Sequence, residues 1–262
     1  MGVLNVTPDS FSDGGVHLEP RRALLRALEM EREGADFIDV GGESTRPGAK
    51  PVSASEELKR VLPVLRLLTK NVKIPISVDT YKYDVASAAL DHGVVLINDI
   101  SGLEHDKRLA KKIARHRAGV VLMHMRGTPQ TMQTMTSYKN LIKDVTAGLK
   151  KAVASALAGG IDPRSIALDP GFGFAKTFEQ NFEMLARLNE FAILKKPLLV
   201  GLSRKSFIGH ALNLPQTERL YGSLGAASAA AIHGAHILRV HDVRAHREMI
   251  DILDRSQEFV AS

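Results

Sequence analysis

The chain has 262 residues, 44% hydrophobic and 24% charged, with no cysteine and no tryptophan. Its length suits one large α/β barrel or two small domains, and the missing cysteines exclude disulfides, thiolate metal sites and a cysteine nucleophile. The formal net charge of +6 fits attraction of a small anionic substrate better than nucleic-acid binding, because the basic residues are scattered along the chain. No apolar run approaches the roughly 20 residues of a membrane span. The opening MGVLNVTPDS enters a strand pattern without a basic-then-apolar leader, so the expected setting is the cytoplasm.

A first short strand is expected over 3–6, with Asn5 near its end. The loop TPDSFSDGG follows, carrying Asp9, Phe11 and Asp13, and then a helix over 20–33. Strand two, 37–40, leads into GGESTRPG, with Glu43, Ser44, Thr45, Arg46 and Pro47, ahead of a helix over 54–68. Strand three, 74–79, ends at Asp79, and strand four, 94–98, ends at Asn98; helices over 82–92 and 107–115 come after them. Strand five, 119–124, runs into His124, Met125 and Arg126 before a helix over 138–158. Strand six, 165–169, ends at Asp169 and the PGFGF turn, then a helix over 178–188. Strand seven, 197–201, leads to Ser203, Arg204, Lys205 and Ser206, with Ser206 opening a helix and a further helix over 219–233. Strand eight, 236–241, holds Arg239 and His241 ahead of a helix over 243–259.

Eight short Val/Ile/Leu-rich strands alternating with amphipathic helices are the count that closes a (β/α)₈ barrel. An open doubly wound sheet competes, but no G-x-G-x-x-G follows the first strand. With no linker-like stretch, residues 1–262 read as a single barrel domain.

Each polar strand end has a plainer reading. Asp79 and Asn98 fit helix caps, Asp169 before proline fits a turn, Arg239 and His241 fit a paired core group, and Arg46, Arg204 and Lys205 fit solvated surface charges. Caps explain the set less well than one shared mouth, because barrel strand ends converge there. Arg239 and His241 are two apart and point to one side of their strand. Closure sets them beside Asn5, making a site suited to phosphate, with Asn5 able to offer an oxygen to Mg²⁺. Asp79, Asn98 and Asp169 form a pocket of acceptors for a planar ring rich in N–H donors, and Lys205 adds a donor.

The segments MGVLNVTPDSFSDGG, IDVGGESTRPGA, ISVDT, INDISG, LMHMRGTPQTMQ, LDPGFGFAKT, LVGLSRKSFIG and HILRVHDV resemble, in order, those of the dihydropteroate synthase family of pterin-binding barrels. The resemblance implies condensation of 6-hydroxymethyl-7,8-dihydropterin diphosphate with p-aminobenzoate, giving 7,8-dihydropteroate and pyrophosphate, with sulfonamides competing at the p-aminobenzoate site. It implies a pterin held by Asp79, Asn98, Asp169, Lys205 and Arg239. Asn5, Arg239 and His241 would hold the diphosphate, with Mg²⁺ at Asn5. Thr45, Arg46, Pro47, Phe174 and Ser206 would surround p-aminobenzoate, and Asp9, Phe11 and Asp13 would lie on a mobile loop. The catalytic roles it implies fall to Asp79, Lys205, Asp13 and Asp169. A homodimer formed through late helices is a further implication, and the Ala-rich stretch 225–232 allows close helix contact.

Two departures stand out. The family's short segment before the first strand has no counterpart here, an expected effect on stability more than chemistry. TYKYDV after Asp79 stands where many relatives carry serine and proline, with little expected effect on activity. Rival readings are a methyltetrahydrofolate:corrinoid methyltransferase, which has no need of the SRKS, RVH and STRP features, and a non-catalytic pterin-binding paralogue, which would be expected to have lost a loop or anion residue.

Overall fold

The computed structural model describes residues 1–7, 19–46 and 48–257. Asp9, Phe11, Asp13 and Pro47, and the end of the helix expected over 243–259, lie outside the described residues. The strands β1 (Gly2–Asn5), β2 (Ile38–Gly41), β3 (Ile76–Asp79), β4 (Leu96–Asp99), β5 (Gly119–Met123) and β6 (Ile166–Asp169) pair in sequence order, all parallel. A second parallel pair joins β7 (Leu199–Val200) to β8 (Ile237–Leu238). Two single bridges complete the ring: Leu168 with Leu198 links β6 to β7, and Gly2 with Val240 links β8 to β1. The Val3 N–H donates to the Val240 carbonyl at 2.9 Å, so the ring is a closed barrel and not an open sheet.

The last two strands are shorter than their apolar runs suggest. Backbone pairing there changes partner within a few residues. Arg239 still donates its N–H to the Val200 carbonyl at 2.9 Å, while Val240 already donates to the Met1 carbonyl at 2.9 Å. Closing the ring therefore uses up the groups that a longer β7–β8 ladder would need.

The strands are surrounded by α1 (Glu19–Arg32), α2 (Ala54–Asn71), α3 (Tyr83–Asp91), α4 (Arg108–His116), α5 (Leu141–Ala158), α6 (Phe178–Ala186), α7 (Ser206–Leu212), α8 (Leu220–Ile232) and α9 (Val243–Gln257). Side-chain caps start several of them. Ser53, Asn140 and Thr177 accept from the N–H groups of Glu56, Lys143 and Gln180 at 3.1, 3.0 and 3.2 Å. Thr177 and Gln180 complete a reciprocal capping box. Past α1 and α8 the chain turns at Gly34 (φ 90°) and Gly234 (φ 94°), where a side chain would be strained. Among the described residues no helix is long and apolar enough to cross a membrane.

Strand alternation makes two cores. Outward residues such as Ile38, Val40, Val78, Ile97 and Leu122 meet Leu65, Leu68, Ile113 and Leu149 of the helices. Each such burial stabilises the fold by roughly 1.5–3 kcal/mol. Inside the barrel a smaller cluster of Met1, Val121, Ala167 and Leu199, flanked by Phe37, Leu96 and Ile237, fills the end of the strands' N-termini. Toward the strand C-termini the interior changes to Asp39, Asp79, Asn98 and Asp169, all buried.

Candidate active site

One row of the barrel interior carries much of the site. Asn5, Gly41, Asp79 and Asn98 are register partners on β1 to β4, so their side-chain positions share one face. Gly41 leaves a gap in that row: a Cβ there would sit 3.5 Å from Asn5 Oδ1 and 3.8 Å from the Asp79 Cβ. One layer deeper, Asp39 lies between Val3 and Ser77. Its Oδ2 accepts from Arg239 Nε at 2.6 Å and from Asn98 Nδ2 at 3.2 Å. Arg239 Nη2 donates to Asp79 Oδ2 at 2.7 Å. Asp39 Oδ1 and Asp79 Oδ1 are buried with no partner in the protein.

The charges in this chain of contacts oppose one another. Burial pushes the Asp79 carboxyl up to about 7; Arg239 pulls it down, while Asp39, Glu57 and Asp99 push it further up. For Arg239, burial favours the neutral form, but Asp39 and Asp79 outweigh it and hold the guanidinium charged.

Across the mouth stand Asp169 and Lys205. Asp169 Oδ1 accepts from the Gly171 N–H at 2.7 Å, and burial raises its pKa. Burial lowers the Lys205 ammonium to about 8, against the pull of Asp169. Lys205 Nζ lies 4.5 Å from the centre of the Phe174 ring, a cation–π contact. The loop between them is fastened from below by Lys176, which is buried and donates to the Gly171 and Phe174 carbonyls at 3.0 and 2.9 Å. Its Nζ is 3.3 Å from His124 Nδ1. Burial lowers Lys176 to about 7 and His124 to about 3, so the imidazole is neutral there.

A cavity of about 490 Å³ opens over these groups, a size suited to a small organic ligand. It brings together Asn5, Thr45, Arg46, Asp79, Phe174, Lys205, Ser206, Arg239 and His241. Asn98 and Asp169 are not on its lining; Asn98 shares the row of Asn5 and Asp79 and is tied in through Asp39. His241 Nδ1 is 3.1 Å from Ser203 Oγ, and burial, with Arg239 and Arg204 adding, lowers its pKa to about 4. Burial and the neighbouring guanidinium groups thus favour the neutral imidazole of His241 at neutral pH. Arg204 reaches the lining but gives its guanidinium to Asp242, with Nε to Oδ2 at 3.0 Å. His124 and Arg126 turn away from the cavity: Arg126 lies over the Tyr138 ring at 3.8 Å. Among the described residues there is no group of three or more His, Asp or Glu able to cage a metal ion.

The loop after β2 is held by its own cluster. Tyr81 donates its hydroxyl to Glu43 Oε1 at 2.9 Å, and the Lys82 ammonium bridges Glu43 and Glu57. Arg60 donates to the Gly42 carbonyl at 3.0 Å. The tyrosine that departs from the usual pattern thus touches the loop carrying Thr45 and Arg46. Sequence reasoning missed Asp39, Lys176 and the partnership of Ser203 with His241.

A family model described as pterin binding enzyme matches residues 1–241. The chain is 46% identical to the dihydropteroate synthase of Synechocystis sp., over 97% of this chain and 88% of that protein. Identity to the Bacillus subtilis dihydropteroate synthase is also 46%, over 97% and 87%. Among solved structures, Yersinia pestis dihydropteroate synthase with a sulfonamide drug superposes with a TM-score of 0.93 at 44% identity, covering 98% of this chain and 94% of that one. The Xanthomonas albilineans dihydropteroate synthase with 4-aminobenzoic acid gives 0.92 at 41% identity, covering 98% and 92%.

Proposed function

The chain belongs to the dihydropteroate synthase family of pterin-binding enzymes, transferases of folate biosynthesis, and from that premise we propose how its own residues carry the reaction. The dihydropterin ring lies over the interior acceptors. Asp169 takes its ring N–H and exocyclic amine, Asn98 the other side of that amine, and Lys205 donates to the ring carbonyl and its neighbouring nitrogen. The C–O bond to the diphosphate breaks first, leaving a cation on the pterin methylene. Asp79 faces that cation and stabilises it electrostatically in a water-poor pocket. The p-aminobenzoate nitrogen then forms the C–N bond and releases a proton. Its aromatic amine is neutral near pH 7, so the site needs no dedicated base.

The departing pyrophosphate falls to Arg239, His241 and Asn5. Asn5 would hold an Mg²⁺ ion here beside the diphosphate, because Mg²⁺ keeps several waters and takes few protein ligands. The gap at Gly41 leaves room between the Asn5 and Asp79 oxygens. When bound, the ion would neutralise diphosphate charge. Thr45, Arg46, Phe174 and Ser206, together with Pro47, surround p-aminobenzoate, with the Ser206 hydroxyl and the start of α7 toward its carboxylate. The whole chain, 1–262, acts as one barrel unit in the cytoplasm. It works as a homodimer through α8, where Tyr221 and Ile232, eleven residues apart and so on one side of the helix, are 83% and 61% exposed.

The observation that carries this reading is the convergence of Asp79, Lys205, Arg239 and His241 on one cavity that also holds Phe174. The test is pyrophosphate release by purified protein with Mg²⁺ and the dihydropterin diphosphate. Release that depends on p-aminobenzoate, with dihydropteroate formed, is the expected result. Pterin binding without turnover would remove the catalytic roles.

A further inference from the structure

One layer below the mouth, Asp39 reaches two side chains of the site, Arg239 and Asn98, at once. It is fully buried in the middle of β2, where an acidic residue is rarely found without a partner. One of its oxygens, Oδ2, receives both Arg239 Nε and Asn98 Nδ2. A carboxamide can turn over and exchange its oxygen and nitrogen at little energetic difference when its surroundings are ambiguous. The surroundings of Asn98 are not ambiguous. A carboxylate oxygen already receiving a guanidinium N–H acts as an acceptor, so the edge of Asn98 that meets Asp39 is the Nδ2 edge. The carboxamide then presents Oδ1 on its other edge.

We propose that Asp39 is a positioning residue that locks the sense of the Asn98 carboxamide and so sets the enzyme's selectivity for the 2-amino group of its pterin. The inference rests on the reading of Asn98 as a contact of that amine. With Oδ1 offered, Asn98 accepts from the amine; turned over, it would set its own N–H groups against the amine's. The same contact keeps Arg239 in place, but Arg239 also holds Asp79 at 2.7 Å, so it retains one carboxylate when Asp39 is neutralised. An asparagine at position 39 keeps the shape of the side chain. It removes the acceptor-only character on which the lock depends, because its own amide can present either group.

The test compares binding of 6-hydroxymethylpterin and of the same compound lacking the 2-amino group, by calorimetry at one pH, to the unmodified protein and to Asp39→Asn. The unmodified protein is expected to favour the amino compound by about 100-fold or more, as sites built to bond an N–H do. Asp39→Asn is expected to compress that preference about tenfold, mainly through weaker binding of the amino compound. A variant that folds, by circular dichroism, and keeps the full preference overturns the proposal while leaving the pterin reading intact. If the unmodified protein binds neither compound, the pterin reading fails and the proposal with it. Should Asp39→Asn not fold, the side-chain amide protons of Asn98 in the unmodified protein decide by NMR. Slow exchange with and without pterin supports the lock; fast exchange, or release on binding, overturns it.

Discussion

Asp79 meets two opposing demands. To stabilise a cation it must be ionised, yet its burial pushes the carboxyl up to about 7 even with Arg239 at 2.7 Å. Lys205 is a charged, strong donor only while protonated, and burial brings it down to about 8. The kcat/KM for the dihydropterin diphosphate should therefore rise with pH through about 7, as Asp79 loses its proton, and fall above about 8, as Lys205 loses its own. In Asp79→Asn the rising limb should vanish. Its kcat should drop by about 10²–10³, the range for removing one electrostatic stabiliser, while pterin affinity changes less than about tenfold. Steady-state profiles of both proteins check this, and an acid limb that survives in the variant would assign it to another group. The placement of Asp79, Asn98, Asp169 and Lys205 was legible in the sequence, because each lies at or just past the end of an apolar strand, where a barrel puts its chemistry. Asp39 was not, because IDVGG reads as an ordinary buried strand. The signal available was the acidic residue itself, in a strand covered on both faces.

At the scale of elements, the site depends on how its loops are tied down. The turn after β6 passes so close to β5 that a Cβ at Gly171, where φ is 77°, would lie 2.0 Å from the His124 carbonyl oxygen. Lys176 closes the same turn by donating to the Gly171 and Phe174 carbonyls, and Phe174 is the apolar wall proposed for p-aminobenzoate. Lys176→Met keeps the length of the side chain and removes both hydrogen bonds. It should lower stability by about 1–3 kcal/mol, through two buried carbonyls left unpaired. The KM for p-aminobenzoate should rise about five- to tenfold with pterin affinity within about twofold. Substrate titrations alongside pterin binding separate this from a general loosening, which would weaken both ligands equally. The sequence pattern could not supply this tie. It rests on a lysine seven residues beyond the strand, in a stretch that looks like a solvated turn. Nor could periodicity size α7, whose seven residues end at Asn213 in the left-handed region (φ 52°), too few turns for a repeat to show.

For the whole molecule, closure was legible from the count of eight strand–helix units, whereas the stability of its polar interior was not. Burial raises the pKa of Asp79, Asp99 and Asp169 and lowers that of Lys176 and Lys205. Asp79, Asp169 and Lys205, the groups of this set proposed to meet substrate, thus oppose folding in their charged forms. Asp169 tests this most directly, since its Oδ1 accepts the Gly171 N–H at 2.7 Å, a bond that an asparagine oxygen can keep. A carboxyl whose folded pKa is raised favours the fold below its unfolded pKa of about 3.9, and that contribution is lost as pH rises through the folded pKa. Asp169→Asn should therefore match the unmodified protein near pH 4. It should gain stability over it as the pH approaches 8, reaching about 1 kcal/mol or roughly 2–4 °C in Tm. Its turnover should fall, because the acceptor proposed for the pterin's ring N–H has lost its charge. Thermal unfolding across that pH range decides the point. A variant no more stable than the unmodified protein at pH 8 would mean that Lys205 and Lys176 compensate the buried carboxylate in full. The polar mouth would then be part of what holds the barrel together, and loss of activity on substitution there could no longer be read as loss of chemistry alone.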